Sequence, residues 1–470
     1  MPLKRGQKRG GGPGGGENAA FRSELFSPPP GFRTIKEWIF ERRKEGARNT
    51  KSVPFDRKHK FYISIKTKKE KTMQITLLAG AREGRLALPP SKSIAHRKII
   101  LSALAPFGGE VRLWSISNDI CATLDLIKSL GGNINITEKN NIHHIKIAPL
   151  PKKTIAPVHI HVDESATTMR IALILAPALA DHVTFTAGEQ LRPRPMDEGI
   201  RFLKEHGVEV KGPWPIETHG RLTFAEAHIG ARTTGQFVTG ALLASLTQRR
   251  PVTVAAKNPP SAPYIRMTAR IMEEAGINIE EKNGTYIIKP GDTTHIAPDV
   301  EGDYSHAAYF IVAKVMGSKI SLTNLPAHSL QGDQQILNHI ETIKAHMPVD
   351  LTHTPDLLMP LAVLATKTGA TFTGIRRLRT KESDRIAATS AMLRTLGINT
   401  KTTDDSLTVA PGQITSGTVN SCGDHRIAFA AALAATAATG PVTVIGAEAV
   451  EKSWPGFFKS FAALKIIEDK

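Results

Sequence analysis

The sequence predicts an α/β fold made of repeated units that are grouped into two similar domains. The first observation is a recurring phrase, in which an amphipathic helix ends at glycine and is followed by a short alternating strand, a turn and another strand. The second is that five copies are visible, while the two ends of the folded region can complete a sixth. The third is length, because 470 residues exceed what one hydrophobic core commonly organises. Six units suggest two domains of three units each, with a cleft between them.

The copies of the phrase can be read along the chain from Leu126 onward. They are LIKSLGGNINIT ending in HHIKIAP, FLKEHGVEV ending in RLTFA, IMEEAGINIEEKNGTYIIKP, MLRTLGINTKTTDDSLTVAP and the degenerate TIKAHMPVDLTH. The residues expected to close these helices, as left-handed caps where they are glycine, are Gly131, Gly207, Gly276 and Gly397, with Met347 in the degenerate copy. The last helix, FFKSFAALKII, lacks strands of its own, and residues 73–88 can supply them. Ordinary alternation of helices and strands gives a similar local order, but the number of copies favours the repeat.

Positive charge is concentrated near the N-terminus. Residues 1–72 contain 19 Lys and Arg against 7 Asp and Glu, a net charge of +12 out of +18 for the chain. The opening MPLKRGQKRGGGPGGG is typical of disorder, so we expect residues 1–72 to form a basic, disordered extension and Met73 to open the folded region. A nucleic-acid-binding arm and a misassigned start codon are the alternatives.

Several classes of protein are disfavoured by what the sequence lacks. The extension has no apolar core of a secretory signal, and no apolar run approaches the roughly 20 residues of a membrane span. The two cysteines, Cys121 and Cys422, cannot build a disulfide framework, so a cytoplasmic protein is expected. The stretch HIHVDE places His159 and His161 on one face of a strand, which favours a strand over a metal site. No phosphate-binding GxxxxGK[ST] or zinc motif occurs, so neither metal nor cofactor is expected.

The stretch PPSKSIAHRK places cations at the start of a helix. Ser91 is predicted to cap a helix that begins near Lys92, with Ser93 and Arg97 four residues apart and therefore on one face. Cations at a helix N-terminus cost a few tenths to about 1 kcal/mol each, because the helix dipole is positive there. A bound anion would reverse that sign, since it would meet the dipole, free N–H groups and the cations together.

The same pattern recurs at other predicted helix starts. The groups concerned are Asp424, His425 and Arg426 in GDHR, Lys381, Glu382 and Arg385 in RTKESDR, Arg192 and Arg194 in RPRP, and Lys452 in KSWP. Each of these alone is explained by a surface ion pair or a solvated turn, which are common and weak. Together they predict a cleft that binds one or more small polyanions.

Nine short motifs stand in a fixed order between Met73 and the C-terminus: PPSKSIAHR, RPRP, TGQFVTGALL, SAPY, EGDYSHAAYF, TPDLLMPLAVLA, RTKESDR, GDHRIA and KSWP. Their order and residue types resemble the 5-enolpyruvylshikimate-3-phosphate synthase family. The resemblance implies two similar domains, each of three βαβαββ units with pseudo-threefold symmetry, and an active site in the interdomain cleft. One domain would span 91–300, and the other would join 73–90 to 301–470.

The resemblance also implies an enzyme of the shikimate pathway of aromatic amino-acid biosynthesis. Such a transferase moves the enolpyruvyl group of phosphoenolpyruvate to the 5-hydroxyl of shikimate 3-phosphate and releases phosphate. It needs no cofactor and no metal, because its partners are two small anionic substrates that cations can bind. A monomer without membrane or nucleic-acid contacts is expected.

Site residues follow from position within the matching motifs. The implied contacts of shikimate 3-phosphate are Lys92, Ser93, Arg97, Thr234, Gly235, Gln236, Ser261, Tyr264, Asp356 and Lys381. Those of phosphoenolpyruvate are Lys92, Ala166, Arg194, Gln236, Arg385, Arg426 and Lys452. The implied catalytic groups are Asp356 as base at the 5-hydroxyl, Glu382 as carrier of the methylene proton, and Lys92 as acid on the leaving phosphate.

The chain departs from the family pattern at several positions. The usual NAGTAMR loop reads ESATTMR, with Glu164 in place of Asn and Ala166 in place of Gly. Thr234 and Gly235 stand where paired serines are frequent, and Arg377 stands where Asn or Glu is frequent. A methyl group at 166 would narrow the phosphoenolpyruvate pocket, which suggests reduced sensitivity to glyphosate, an inhibitor longer than the substrate.

Two other functions compete with this interpretation. The related UDP-N-acetylglucosamine enolpyruvyl transferases share the donor, but their Lys-Asn start is absent here and neither cysteine lies in a recognisable mobile-loop motif. An RNA-binding protein that uses its basic tail would require residues 1–72 and bind in a strongly salt-dependent manner.

Overall fold

The structure is a computed structural model that describes residues 61–65, 72–151, 157–230, 234–248, 250–256 and 259–467. The prediction for residues 1–72 therefore lies outside the described residues, except at 61–65 and 72. There the strand Phe61–Ile65 (β1) pairs antiparallel with Met73–Leu77 (β2). A strand thus precedes Met73, which the sequence analysis did not predict.

The described residues fall within one unit of the chain, Val53–Lys470, that contains two hydrophobic cores. The first core is formed by buried side chains between Ile94 and Ile296. The second combines Ile75 to Leu88 with Tyr304 to Leu464, so the N-terminal strands pack with the C-terminal part of the chain. The exact domain boundaries stay a prediction.

Helices and strands alternate through the first core, as the α/β prediction requires. The helices are α1 Lys92–Leu104, α2 Asn118–Ser129, α3 Ala166–Leu179, α4 Asp197–Glu205, α5 Gln236–Ala244 and α6 Ala262–Glu274. The strands are β4 Gly109–Leu113, β5 Ile134–Lys139, β6 Ile142–Ile147, β7 Val158–His161, β8 His182–Thr186, β9 Glu209–Lys211, β10 Ile216–His219, β11 Glu226–His228, β12 Val252–Ala255, β13 Ile279–Lys282 and β14 Thr285–Ile288. The exposed His159 and His161 lie on one face of β7, as predicted.

The second core has the same alternation. Its helices are α7 Tyr304–Val315, α8 Ile336–Lys344, α9 Leu358–Leu364, α10 Arg385–Thr395, α11 His425–Ala435 and α12 Phe457–Ala462. With β2, its strands are β3 Arg82–Ala87, β15 Lys319–Thr323, β16 Val349–Asp350, β17 Ala370–Thr373, β18 Thr400–Thr402, β19 Leu407–Val409, β20 Gly417–Asn420, β21 Val442–Ile445 and β22 Lys465–Ile466. Short 3₁₀ turns occur at Ser245–Thr247, Gly332–Gln335, Pro355–Leu357, Arg376–Thr380 and Ala447–Lys452.

The described strands form six small sheets with a common plan. Their orders are β4-β6-β5, β7-β8-β10-β9, β11-β12-β14-β13, β15-β3-β22, β16-β17-β19-β18 and β1-β2-β21-β20. Five of them combine a parallel pair, such as β7 with β8, with antiparallel neighbours. In the sheet that contains β4, a single parallel bridge between Arg112 and Asp299 takes the place of the parallel strand pair. The repeated phrase of the sequence thus corresponds to repeated small sheets.

The chain passes between the two cores twice, and the two passages lie side by side. Pro90 and Gly302 form an antiparallel bridge. The Ser91 N–H donates to the Glu301 carbonyl at 2.8 Å, and the Asp303 N–H donates to the Pro89 carbonyl at 2.9 Å. These bonds fix the start of α1 beside the start of α7.

Helices α1, α3, α5, α7, α9 and α11 are buried almost throughout. In α1, every residue from Ile94 to Ala103 is buried, including the polar His96, Arg97 and Lys98. Lys98 remains satisfied because its Nζ donates to the carbonyls of Ala297 and Asp299. A helix buried on all sides cannot be recognised from amphipathic periodicity.

Glycine ends the repeated helices as predicted. Gly131, Gly207, Gly276 and Gly397 have φ of 86°, 78°, 94° and 88°. In the degenerate copy the positive φ, 55°, belongs to His346, so the assignment of that place to Met347 was wrong by one residue. Across the described residues, no helix has the length and apolar character needed to cross a membrane.

Candidate active site

The N-terminus of α1 is capped from the second core. Ser91 occupies the N-cap position, but its hydroxyl donates to Gln331 Oε1 at 2.9 Å and does not cap the helix, contrary to prediction. The Lys92 N–H instead donates to Asp303 Oδ2 at 3.2 Å. Asp303 also caps its own helix, α7, through the His306 N–H. One carboxylate therefore anchors the starts of two buried helices, one from each core.

Lys92 is joined to Lys452 by Asp119, a residue that the sequence analysis missed. Lys92 Nζ lies 2.7 Å from Asp119 Oδ2, and Lys452 Nζ lies 3.0 Å from Asp119 Oδ1. Burial raises the pKa of Asp119, but Lys452 and Lys92 outweigh that effect and bring it to about 2. Lys452 Nζ also donates to the Glu164 carbonyl at 2.6 Å. The carboxylate thus holds two predicted site cations together, across the two cores.

Arg97 is buried without a carboxylate partner among the described residues. Its guanidinium donates to the Ser93 carbonyl at 2.6 Å, the Tyr264 carbonyl at 2.9 Å and Thr268 Oγ1 at 2.7 Å. Burial lowers its pKa to about 10, so it stays charged at neutral pH. The structure therefore brings Arg97, Ser93 and Tyr264 together, with Arg97 fixing the backbone of the other two.

A buried chain of hydroxyl groups aligns the first three helices of the site. His96 Nδ1 lies 2.6 Å from Thr123 Oγ1, which lies 2.7 Å from Thr168 Oγ1, which lies 2.8 Å from Ser165 Oγ. Burial lowers the pKa of His96 to about 3, so the ring is neutral. This chain connects α1, α2 and the N-cap of α3, and Thr168 stands where the family loop has Ala.

Gln236 at the start of α5 is held by the loop of the sequence ESATTMR. Its Nε2 donates to Thr167 Oγ1 at 2.8 Å, and its Oε1 accepts from Arg170 Nη1 at 2.9 Å. Ala166 begins α3 immediately before Thr167. The Glu164 side chain turns away toward the next loop, where Oε1 accepts from the Gln190 N–H at 3.2 Å. The backbone carbonyl of Glu164 therefore faces Lys452, whereas its carboxylate faces the backbone of the loop at Gln190.

The densest charge cluster surrounds Arg385, the first residue of α10. Arg385 lies 2.7 Å from Asp356, 2.6 Å from Glu382 and 2.7 Å from Asp424. Asp424 caps α11 through the Arg426 N–H, as predicted. Lys381 and Glu382 lie in the turn before α10, not in its first turn as predicted, because Asp384 is the N-cap.

Two further arginines complete this cluster. Arg426 lies 2.8 Å from Asp356, and Arg194 lies 3.3 Å from Glu382. Burial raises the pKa of Asp356, but Arg426 and Arg385 outweigh it and lower that pKa to about 2. Burial likewise opposes ionisation of Glu382, but Arg385 and Arg194 hold its pKa well below the usual range. Both predicted catalytic carboxylates are therefore ionised and near cations. Arg192, by contrast, is exposed and donates to the Ala187 carbonyl.

Lys381 has no ion pair or hydrogen bond among the described residues. Burial lowers its pKa to about 7, since the carboxylate of Asp356 offsets only part of the desolvation and Arg377 and Arg385 add repulsion. A lysine in this state changes charge near neutral pH. Its protonation can therefore respond directly to a bound anion.

The remaining predicted contacts lie at the starts of α5 and α6. Thr234 Oγ1 accepts from the Gln236 N–H at 3.2 Å, and Gly235 is the N-cap of α5. Ser261, the N-cap of α6, has φ of 59°, and its N–H donates to the Thr352 carbonyl at 3.4 Å. A side chain at Gly235 would meet Ile265 at 3.0 Å, so the paired serine seen elsewhere would require Ile265 to shift.

The predicted site residues thus lie at linked helix starts and turns of both cores. Those linked across the cores are Lys92, Arg194, Glu382 and Lys452. The sequence analysis missed Asp119, Asp303, Thr167 and Arg170, although Arg170 lies four residues after Ala166 on α3 and could have been found by helical spacing.

Comparisons with known proteins give a consistent result. Residues 79–461 match the family model described as EPSP synthase (3-phosphoshikimate 1-carboxyvinyltransferase). The 3-phosphoshikimate 1-carboxyvinyltransferase of Pyrococcus furiosus is 34% identical over 403 residues, which cover 80% of this chain and 96% of the relative. That of Thermococcus kodakarensis is 32% identical over 402 residues, 81% of this chain and 97% of the relative. An EPSP synthase structure from Acinetobacter baumannii is 22% identical with a TM-score of 0.67, covers 84% of this chain and all of that one (100%), and supports the fold alone.

Proposed function

The chain belongs to the EPSP synthase family, and from that membership we infer the activity of the candidate active site. The protein is an enzyme that transfers the enolpyruvyl group of phosphoenolpyruvate to the 5-hydroxyl of shikimate 3-phosphate and releases phosphate. This is the 3-phosphoshikimate 1-carboxyvinyltransferase step of the shikimate pathway. The observation that carries the conclusion is the match of residues 79–461 to the family model.

Each substrate carries a phosphate and a carboxylate, and these anionic groups can bind to the cations of the candidate active site. We propose that Lys92, Arg194, Arg385, Arg426 and Lys452 bind phosphoenolpyruvate, together with Gln236 and the backbone at Ala166. The ion pairs that these cations make with Asp119, Asp356 and Glu382 support this proposal, because substrate anions would replace or share those carboxylates. Bidentate contacts from arginine suit both phosphate and carboxylate.

For shikimate 3-phosphate we propose a second group of contacts. Its members are Lys92, Ser93, Arg97, Thr234, Gly235, Gln236, Ser261, Tyr264, Asp356 and Lys381. The bonds from Arg97 to the carbonyls of Ser93 and Tyr264 support the grouping, since they tie α1 to α6. The ammonium group of Lys381, which forms no ion pair with the described part of the chain, supports a role at the acceptor side of the site.

The reaction requires one proton to leave the 5-hydroxyl and one to reach the methylene carbon of phosphoenolpyruvate. In the addition step, the hydroxyl oxygen forms a bond to C2, Asp356 takes the hydroxyl proton, and Glu382 gives a proton to C3. In the elimination step, Glu382 takes a proton back from the new methyl group while the C2–phosphate bond breaks. Lys92 donates to the departing phosphate and stabilises its charge.

The charges around Glu382 explain how one carboxylate can serve both steps. Without substrates, Arg385 and Arg194 keep its pKa well below the usual range. Phosphoenolpyruvate bound to those arginines would neutralise them and allow the pKa of Glu382 to rise. Asp356 would stay ionised because it also contacts Arg426. The two carboxylates would then differ in protonation, as the two proton transfers require.

The competing UDP-N-acetylglucosamine transfer is not favoured by these comparisons. We further propose that the enzyme is a cytoplasmic monomer. The direct test is a phosphate-release assay with phosphoenolpyruvate and either shikimate 3-phosphate or UDP-N-acetylglucosamine. Release with shikimate 3-phosphate alone is expected, and release with the UDP-sugar alone would overturn the assignment.

A further inference from the structure

Arg377 is the residue for which the sequence analysis found no role. It lies in the 3₁₀ turn Arg376–Thr380, directly after β17. Its Nη2 donates to the Thr352 carbonyl, while its Nε is buried and meets no acceptor among the described residues. This N–H group can therefore donate to a bound ligand without breaking a hydrogen bond within the protein.

The charge of Arg377 also lacks a carboxylate partner within the described part of the chain. The arginines 194, 385 and 426 each lie within 3.3 Å of a carboxylate, whereas Arg377 forms no ion pair with any residue that the structure describes. Burial lowers its pKa to about 10, with Asp356 the largest opposing influence, so it is still protonated at neutral pH. A charged guanidinium in this position is costly unless an anion joins it.

The carbonyl of Thr352 shows where the guanidinium lies. It accepts from Arg377 and also from the Ser261 N–H, at 3.4 Å. Ser261 begins α6, and Tyr264 is among the groups that influence the charge of Arg377. Arg377 is therefore bonded to the same carbonyl as Ser261. A side chain at Gly235 would meet the Pro260 carbonyl at 3.5 Å, so the turn of Thr234 and Gly235 lies beside Ser261, and these residues are all proposed contacts of shikimate 3-phosphate.

The chemistry of that turn leaves a need for such a cation. Gly235 supplies no hydroxyl group, so the Thr234 hydroxyl, which accepts from the Gln236 N–H, has a single O–H to donate where paired serines would offer two. A phosphate dianion bound there needs charged donors, and the arginine fork supplies two parallel N–H groups.

We propose that Arg377 binds the 3-phosphate of shikimate 3-phosphate and so makes this enzyme specific for the phosphorylated acceptor. The inference rests on the proposed function and deepens it. Arg377 supplies in one charged group what a second serine hydroxyl supplies where paired serines occur. We expect its effect to be confined to the phosphate, because the 5-hydroxyl has Asp356 as its proposed partner.

Shikimate provides the discriminating ligand, because it lacks only the phosphate. Dissociation constants for both acceptors are measured by calorimetry on wild type, Arg377→Gln and Arg377→Lys, with turnover of shikimate 3-phosphate in parallel. Arg377→Gln is expected to weaken shikimate 3-phosphate roughly 10- to 100-fold, the range of a charge-assisted hydrogen bond, and to leave shikimate within about twofold. Arg377→Lys keeps the charge but not the forked guanidinium group, so its dissociation constant for shikimate 3-phosphate should lie between those of wild type and Arg377→Gln.

The neighbouring Arg376→Gln is the matched control, because Arg376 is exposed and pairs with Asp404 at the surface. It should leave both dissociation constants unchanged. Unchanged binding of shikimate 3-phosphate in Arg377→Gln, or equal weakening of both acceptors, would overturn the proposal. If Arg377→Gln does not fold, the ratio of the two constants in Arg377→Lys decides in the same way. A wild type that does not turn over shikimate 3-phosphate would instead refute the proposed function.

Discussion

Binding of shikimate 3-phosphate should draw a proton from solution, and Lys381 is the group that takes it. Its ammonium group is unpaired among the described residues, and burial lowers its pKa to about 7. Around it lie the carboxylates of Asp356 and Glu382 and the guanidinium groups of Arg377 and Arg385. A phosphate dianion next to this lysine favours the charged form and raises its pKa.

The size of the effect follows from the pKa. At pH 8 about one tenth of Lys381 is protonated in the free enzyme. If the bound anion restores its pKa to about 9, roughly 0.8 proton is taken up per substrate, and the coupling is about 2.7 kcal/mol. Because the protonated form binds, the affinity for shikimate 3-phosphate is flat below about pH 7, falls by up to about tenfold per pH unit between about pH 7 and pH 9, and levels off above that. At pH 8 the substrate phosphate, with a second pKa near 6, is already ionised and adds no protons.

Calorimetry in two buffers of different ionisation enthalpy measures the proton uptake directly. Lys381→Arg is the matched variant, because it keeps the charge but cannot lose its proton. Wild type is expected to take up most of one proton at pH 8, and the variant none while still binding. No uptake by wild type, or the same uptake by the variant, would refute this account of Lys381.

Three further predictions concern other parts of the site and the N-terminus. Asp119→Asn should destabilise the substrate-free enzyme by roughly 3 kcal/mol, because Lys92 and Lys452 then face each other unpaired, and thermal unfolding checks this. The exposed Asp125→Asn on the same helix is its control and should change little; equal changes in both would contradict the role of Asp119. Ala166→Gly should lower the inhibition constant of glyphosate, and an unchanged constant would remove the steric argument. Deleting residues 1–72 should preserve turnover, since no proposed site residue lies there, but should lower the unfolding temperature by removing β1 from the edge of its sheet; lost turnover would show that the segment serves the active site.

The sequence by itself determined where the cations and the helix starts lie. Capping by Asp424 and the positive φ of Gly131 and Gly397 are local events, governed by a few neighbouring residues, and they were predicted correctly. The family motifs are equally local, which explains why the activity could be inferred before the structure. Local reasoning failed by small steps elsewhere, as at Met347, where the left-handed residue is His346.

The tertiary structure alone decided which charges are paired. Asp119 bonds to Lys452, which is 333 residues away in the sequence. Asp303 caps α1 through the N–H of Lys92, from which it is separated by 211 residues. No pattern in the sequence specifies such contacts, because they depend on two cores meeting along their helix starts. Pairing then sets the chemistry. Nearby arginines keep Asp356 and Glu382 ionised, whereas Lys381 and Arg377 form no ion pair with any residue that the structure describes. The residue type fixes which charge a side chain can carry. Burial and long-range contacts decide whether that charge is paired within the protein or remains able to bind a substrate anion.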